Sequence, residues 1–354
     1  MEVDEKYINK SILLAKLGIG KVSPNPMVGC VIVCDGEIIG QGYHEKFGEP
    51  HAEVNAINNI DDKSLLKRST LYTNLEPCSH FGKTPPCADL IIEHQIPKVV
   101  IGCVDSYSEV SGKGIKNLQD AGIEVKVVVL GKKSLELNKR FFNYHSKKRP
   151  YVILKWAKTK DGFMDIDRTD IENIKTSADD KAYNWITTNE SKKLVHYWRT
   201  EVQAIMVGTN TALNDNPELT VREVEGKNPL RVILDLTLRL PNNLRVFDRS
   251  VPTIVLNHVK NQKLNNLEYI KIDKDKDLVS QMLKTLYDFQ VQSIIIEGGA
   301  KLLLSFFDSN QWDEARVFTG IKEFKKGLKA PQLNSTPKTT VYLGVDQIDF
   351  YVND

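Results

Sequence analysis

Apolar residues recur at Ile8, Ile12, Leu13 and Leu17 within "EKYINKSILLAKL", and Gly18 follows directly. That spacing predicts a helix over residues 5–17 stopped by the glycine. The period then changes. "MVGCVIV" and "EIIGQGYH" are β-rich, and the Asp35-Gly36 pair between them predicts a hairpin. "HAEVNAINNI" reads as a helix, "STLYTNLEP" as a strand, and "PPCADLIIEHQI" as a helix with proline in its first turn. "KVVIGCV", "GIKNLQDAG", "EVKVVVL" and "SLELNKRFFNYH" then read strand, helix, strand and a closing helix. Such alternation implies a mostly parallel sheet with helices on both faces.

"SKKRP" follows the closing helix and ends in proline, which places a domain boundary there, dividing the chain into 1–147 and 148–354. Beyond it the β/α alternation resumes in "YVILKWA", "AIMVG", "RVILD", "TIVLN", "SIIIEGG" and "ARVFTG", implying a second α/β domain. The length of 354 residues supports this division, being too long for one ordinary core.

The formal net charge of +2 gives no electrostatic reason to expect nucleic acid or a membrane as partner. No apolar run reaches the roughly 18 residues of a membrane span. The polar, acidic start "MEVDEKYINK" is unlike a signal peptide. An odd number of cysteines, five, in a chain without an export signal points to a reducing cytoplasm.

Two of those cysteines change the picture. His51 and Glu53 flank Ala52, and Cys78 and Cys87 each follow a proline. One imidazole and two thiolates are three zinc ligands, the number a catalytic site uses while keeping one position for water. Cys87 opens a predicted helix, whose partial positive charge favours thiolate. Glu53, on the first turn of another helix, can lie beside the metal without binding it and carry a proton. This is the His-x-Glu and Pro-Cys pattern of zinc nucleobase deaminases, except that eight residues separate the cysteines instead of two. A closed structural zinc with Cys103 as fourth ligand is the rival reading, although Cys103 lies in a predicted core strand.

The stretch "NPMVGCVIV…GYHEKFGEPHAEVNAI…LYTNLEPCSHFGKTPPCADLII" closely resembles the bifunctional riboflavin-biosynthesis deaminase/reductase family. The long loop "SHFGKTPP" between the cysteines separates that family from cytidine, guanine and tRNA adenosine deaminases. "LKWAKTKDG", "WIT", "VGTNTALNDNPELTVR" and "EGGAKLL" extend the resemblance through the second half. It implies an α/β architecture: a cytidine deaminase-like three-layer domain followed by a dihydrofolate reductase-like one. It implies zinc and NADPH as cofactors. The first domain would deaminate 2,5-diamino-6-ribosylamino-4(3H)-pyrimidinone 5′-phosphate, and the second would reduce the ribosyl chain to ribityl. A deaminase whose second domain binds without reducing is the alternative. The resemblance places Asn25, His44, His80 and Lys83 at the first substrate site, where lysine suits the phosphate.

The second domain has no G-x-G-x-x-G, so a Rossmann dinucleotide site is not expected. Glu297, Gly298 and Gly299 instead end a strand and open a helix, a turn where backbone can approach a phosphate. By resemblance, Gly298 and Gly299 contact NADPH together with Ala157, Trp185, Thr211 and Asp215. Lys155, Arg199, Leu219, Arg222 and Glu297 would meet the substrate, the arginines holding its phosphate. Lys155 and Asp215 are the candidates for positioning the open-chain sugar and moving its proton. The chain departs from the family in "DSYSEVSGKG", where Tyr107 replaces an asparagine, and in the long polar loop after "TKDG". Self-association is also expected of two such domains.

Overall fold

The computed structural model describes residues 2–79, 85–105, 111–128, 131–168 and 185–353. They divide into two compact units, Met1–Lys148 and Arg149–Asp354.

In the first unit the strands are β1 (Gly29–Cys34), β2 (Glu37–Tyr43), β3 (Thr70–Thr73), β4 (Lys98–Ile101) and β5 (Glu124–Val127). Their order is β2-β1-β3-β4-β5, antiparallel at β2-β1-β3 and parallel from β3 to β5. The expected hairpin is present: Asp35 and Gly36 both take positive φ, 51° and 85°, as a two-residue turn matched to strand twist requires. All six residues of β1 are buried. With side chains alternating across the pleat, Cys30 and Ile32 enter one core and Val31 and Val33 the other.

Helices α2 (Ala52–Asn58), α3 (Cys87–Glu93) and α4 (Lys113–Asp120) cover the Cys30 face through Ala56, Ile91 and Leu118. Helix α1 (Glu2–Ala15) covers the Val31 face through Tyr7, Ile8 and Ile12. Three layers result. Two details differ from the sequence reading. Pro86 stands just before α3, in the extended N-cap position, and not within its first turn. The closing segment forms two helices, α5 (Gly131–Leu137) and α6 (Lys139–Lys147), separated at Asn138. Asn138 leaves helical geometry, with ψ at 20°, and spends its side chain on a distant loop.

The second unit is built on β6 (Tyr151–Lys158), β8 (Ala204–Gly208), β9 (Leu230–Leu234), β10 (Thr253–Asn257), β12 (Leu267–Lys271), β13 (Ser293–Ile296) and β14 (Glu314–Thr319), paired in parallel. Antiparallel strands β11 (Gln262–Leu264), β17 (Asp346–Val352) and β16 (Thr339–Leu343) extend its edges. β7 (Phe163–Ile166) and β15 (Gly327–Lys329) form a separate pair. The order β11-β12-β10-β9-β8-β13-β6-β14-β17-β16 inserts β13 between β8 and β6. The carboxyl ends of these three neighbours therefore lie side by side, the position where open α/β sheets bind ligands. Helix α7 (Asn189–Glu201) packs Val195 and Trp198 on Phe318, α8 (Thr209–Asp215) buries Ala212, and α9 (Leu278–Asp288) and α10 (Ala300–Asp308) cover the opposite face. No helix among the described residues is long and apolar enough to cross a membrane.

Candidate active sites

In the first unit His51 is the extended N-cap of α2, and Cys87 is the first residue of α3. Cys78 lies on the chain leaving β3. Their ligand atoms converge: Nδ1 of His51 is 3.5 Å from Sγ of Cys78 and 3.4 Å from Sγ of Cys87. All three atoms lie within 4.8 Å of one another. Metal–ligand bonds of about 2.3 Å to sulfur and 2.0–2.1 Å to nitrogen put the S···N edge of a tetrahedron near ~3.5 Å. The donor set and its spacing thus fit zinc. Cys103 is not part of the cluster; its Sγ donates to the Asn74 carbonyl at 3.3 Å, and burial pushes its thiol up to about 12.

The electrostatics favour a cation. The amide of Cys87 donates to Sγ of Cys78 at 3.3 Å. Hydrogen bonds from the Cys87 side chain and from His51 outweigh burial and draw Cys78 down to about 4, while the partner Cys87 is pushed up. Glu53 is 3% exposed. Burial, then the charge of Cys78, raise its carboxyl above the ordinary range. A buried carboxyl held above its ordinary range beside a metal-binding cluster suits proton transfer.

His44 and Asn25 sit against this centre. The His44 ring is 5.3 Å from that of His51, edge to face. Its Nδ1 lies 3.1 Å from the Pro50 carbonyl and its Nε2 3.1 Å from Nδ2 of Asn25. A carbonyl can only accept, so Nδ1 carries the proton and Nε2 accepts from the amide. Burial lowers the His44 pKa, consistent with that neutral form. His80 and Lys83 lie outside the described residues, as does Tyr107.

The sequence reading missed what fastens the backbone at Met27, two residues after Asn25. Asn138 takes both backbone groups of Met27: Met27 N–H donates to its Oδ1 at 2.8 Å, and its Nδ2 donates to Met27 O at 2.9 Å. Asn74 accepts from Gly29 N–H at 2.7 Å and donates to Met27 O at 3.0 Å. Both asparagines are buried. A helix broken at an asparagine was the available signal, but the apolar spacing of "LELNKRFF" conceals the break.

In the second unit, Glu297 follows β13 and its backbone N–H donates to Met206 O at 2.9 Å. Arg199, on α7, grips its carboxylate with two bonds, Nε to Oε1 at 3.1 Å and Nη2 to Oε2 at 2.8 Å. Nη1 of Arg199 donates to the Thr220 carbonyl at 3.1 Å. Lys155 Nζ lies 4.0 Å from Glu297 and 5.6 Å from the centre of the Phe318 ring. Burial pushes Glu297 up, but Arg199 and Lys155 outweigh it and hold the carboxyl at about 2. Burial lowers Lys155, with Glu297 opposing.

Leu219 is buried with φ at 55°. Arg222 is half exposed, 3.0 Å from Glu218 and 2.8 Å from the Thr220 hydroxyl. The two arginines therefore differ: Arg199 is committed to Glu297, and Arg222 faces outward. His196, unremarked in the sequence, accepts from the Arg222 amide through Nδ1 at 3.0 Å. Burial and the two arginines take it down to about 4, so it is neutral at pH 7.

Gly299 caps α10, and Gly298 precedes it in a tight space: a Cβ would lie 2.6 Å from Leu302 Cδ2, which would have to shift, and 3.2 Å from the Gly208 amide. At Gly299 the nearest atom to a Cβ would be the Thr211 hydroxyl, at 3.3 Å. Ala157 lies on β6 beside Phe318 on β14. Trp185 is 48% exposed, with Lys192 over its ring. Asp215, at the end of α8, is exposed and pairs with Arg168 at 3.3 Å. The described geometry thus links Lys155 to Glu297, Glu297 to Arg199, and Arg199 through Thr220 to Arg222, and sets Thr211 beside Gly299.

Residues 1–103 match the model of the cytidine and deoxycytidylate deaminase zinc-binding region, and residues 150–320 match that of the RibD C-terminal domain. The riboflavin biosynthesis protein RibD of Aquifex aeolicus is 40% identical over 338 residues, covering 94% of this chain and 91% of the relative. That of Escherichia coli is 33% identical, covering 90% and 88%. Among solved structures, the diaminohydroxyphosphoribosylaminopyrimidine deaminase/5-amino-6-(5-phosphoribosylamino)uracil reductase of Thermotoga maritima has 37% identity and a TM-score of 0.86, covering 100% of this chain and 99% of that one. RibD of Acinetobacter baumannii has 29% identity, the same TM-score and the same coverage.

Proposed function

The chain belongs to the RibD family of riboflavin biosynthesis proteins, and on that premise we propose which residues carry its two reactions. It is a bifunctional enzyme, a zinc-dependent deaminase and an NADPH-dependent reductase. The deaminase occupies residues 1–147 and the reductase residues 148–354. The substrate is the phosphorylated diaminopyrimidine named for the Thermotoga relative, and the product of the first reaction is the substrate of the second.

His51, Cys78 and Cys87 would hold zinc, which when bound would supply the Lewis acidity that makes water nucleophilic near neutral pH. Glu53 takes a proton from the attacking water and delivers it to the departing amino group. Asn25, fixed by His44, hydrogen-bonds the pyrimidine, and His80 and Lys83 serve the substrate from the loop between the cysteines. The convergence of three ligand atoms within 4.8 Å beside a buried carboxyl carries this reading.

In the reductase, NADPH supplies hydride. Gly298, Gly299, Thr211, Ala157, Trp185 and Asp215 line its site. Hydride would add to the carbon of the open-chain sugar's C=N bond while Lys155 gives a proton to the nitrogen that takes up the electron pair, and Glu297, fixed by Arg199, orients the sugar. Leu219 and Arg222 border the phosphate. The balanced charge of +2 supports a free nucleotide-like substrate over a polymer. The enzyme self-associates in the cytoplasm, which light scattering and cell fractionation check. Supplying diaminopyrimidine, NADPH and zinc-loaded protein tests the pair of reactions. Ammonia release with a matching fall in NADPH absorbance is expected; ammonia release with no NADPH consumption would sink the reductase assignments.

A further inference from the structure

Glu76 is a buried carboxylate, 4% exposed, two residues before Cys78. Its two oxygens take four backbone N–H groups. Oε2 accepts from Asp105 at 3.1 Å and Gly112 at 3.0 Å; Oε1 accepts from Gly114 at 2.9 Å and Ile115 at 3.2 Å. The backbone N–H of Glu76 itself donates to Cys103 O at 3.0 Å. Gly114 lies so close to the Pro77 carbonyl that a Cβ there would collide with it. The short segment from Glu76 to Cys78 is thus bound to the start of α4 by three hydrogen bonds and a tight backbone contact, and to Asp105 after β4 by a fourth. Its far end is bound as well, since Cys78 accepts the Ala88 amide at its carbonyl, 3.1 Å, and the Cys87 amide at its sulfur.

We propose that Glu76 is a positioning residue for the metal: by caging four amides of residues 105–115 it holds Cys78 in ligand geometry before zinc arrives. This rests on the reading of His51, Cys78 and Cys87 as a zinc site. A ligand fixed in advance loses little freedom on binding, and outer partners of metal ligands are typically worth about 10- to 100-fold in affinity. A carboxylate suits the task because it offers only acceptors to four donors. Glutamine keeps the shape but turns one pair of acceptors into donors, leaving two of the four amides facing N–H groups.

The test is zinc affinity of the full chain, measured by competition with a chromogenic chelator, for the wild type, Glu76→Gln and Glu76→Asp. Glu76→Gln is expected to bind zinc about 10- to 100-fold more weakly. Its deaminase rate at limiting zinc should fall and recover in excess zinc. Reductase activity, assayed on the deaminated intermediate, should stay at the wild-type level. Glu76→Asp keeps the charge with a shorter reach and should fall between the two; it carries the test if the glutamine variant does not fold. Unchanged zinc affinity in both variants overturns the proposal. So does a deaminase loss that excess zinc does not restore. A wild type that binds no zinc would instead remove the zinc reading itself.

Discussion

The amide of Cys87 lies 3.3 Å from the sulfur of Cys78, so the start of one helix donates to the ligand nine residues before it. Two sulfurs separated by an eight-residue insert are brought together by this bond and by the Ala88 amide on the Cys78 carbonyl. The wide cysteine spacing therefore costs the metal site nothing in geometry. Replacing either sulfur should abolish tight binding: Cys78→Ser is expected to lose stoichiometric zinc on gel filtration, as read by atomic absorption, together with deamination.

Glu53 is not among the three converging ligands, and this separates proton transfer from metal retention. Glu53→Gln should keep zinc at the wild-type stoichiometry while deamination falls by about 10²–10⁴-fold. Full deaminase activity in that variant would show that another group moves the proton.

His44 uses both ring nitrogens, one on Pro50 next to the ligand His51 and one on Asn25. Glutamine cannot span both partners. His44→Gln should raise KM for the pyrimidine by about tenfold, the loss of one or two hydrogen bonds, with zinc content unchanged. Initial-rate kinetics on ammonia release would detect it, and a KM equal to wild type would refute the role.

Acid should weaken the reductase unit in two stages. His196 is held at about 4 against an ordinary 6.5, so the unfolded imidazole takes its proton first and stability falls as pH drops from 6.5 toward 4. Glu297 is held at about 2 against 4.5, so its contribution is complete above 4.5 and is lost as pH falls toward 2. That carboxylate is worth on the order of 3 kcal/mol. Urea unfolding across this range should show both limbs; Glu297→Gln should remove the lower one and, because that carboxylate raises the His196 pKa, should not shrink the upper one.

The two adjacent glycines should respond differently. Gly298→Ala forces a methyl against Leu302 and the Gly208 amide, an overpacking that should cost about 1–3 kcal/mol. At Gly299, φ is −62° and only the Thr211 hydroxyl is near, so alanine should fold within about 0.5 kcal/mol of wild type. If NADPH phosphate meets that backbone, Gly299→Ala will raise the NADPH KM without lowering the melting temperature. Thermal melts and NADPH titration together separate the two outcomes.

Much of this was legible beforehand because it is written in local pattern. The Asp35-Gly36 turn, the apolar run of β1 and the strands from "YVILKWA" to "ARVFTG" follow from period and turn chemistry alone. His51, Glu53, Cys78 and Cys87 stood out because metal chemistry admits few residue types. What stayed hidden depends on partners far along the chain. Asn138 meets Met27 across 111 residues, and Glu76 meets Gly114 across 38. Neither has a spacing that betrays it, and an isolated Asn or Glu beside a strand looks like any polar residue. Arg199 and Arg222 looked alike as phosphate binders; only their partners distinguish the one locked to Glu297 from the one facing outward. The carboxy-terminal hairpin β16–β17 escaped because its edge strand is exposed and its apolar run, Val341–Leu343, is only three residues long.

The break between α5 and α6 also sets a limit on dissecting the enzyme. The match to the deaminase zinc-binding region ends at residue 103, well short of the end of the first unit. Yet the amide that fastens Met27, two residues from Asn25, belongs to residue 138. A chain shortened before that point could keep His51, Cys78 and Cys87 and still lose the brace of the loop proposed to bind the base. Separating the two activities by truncation therefore has to spare the connecting helices, because the last part of the deaminase to be synthesised completes the first.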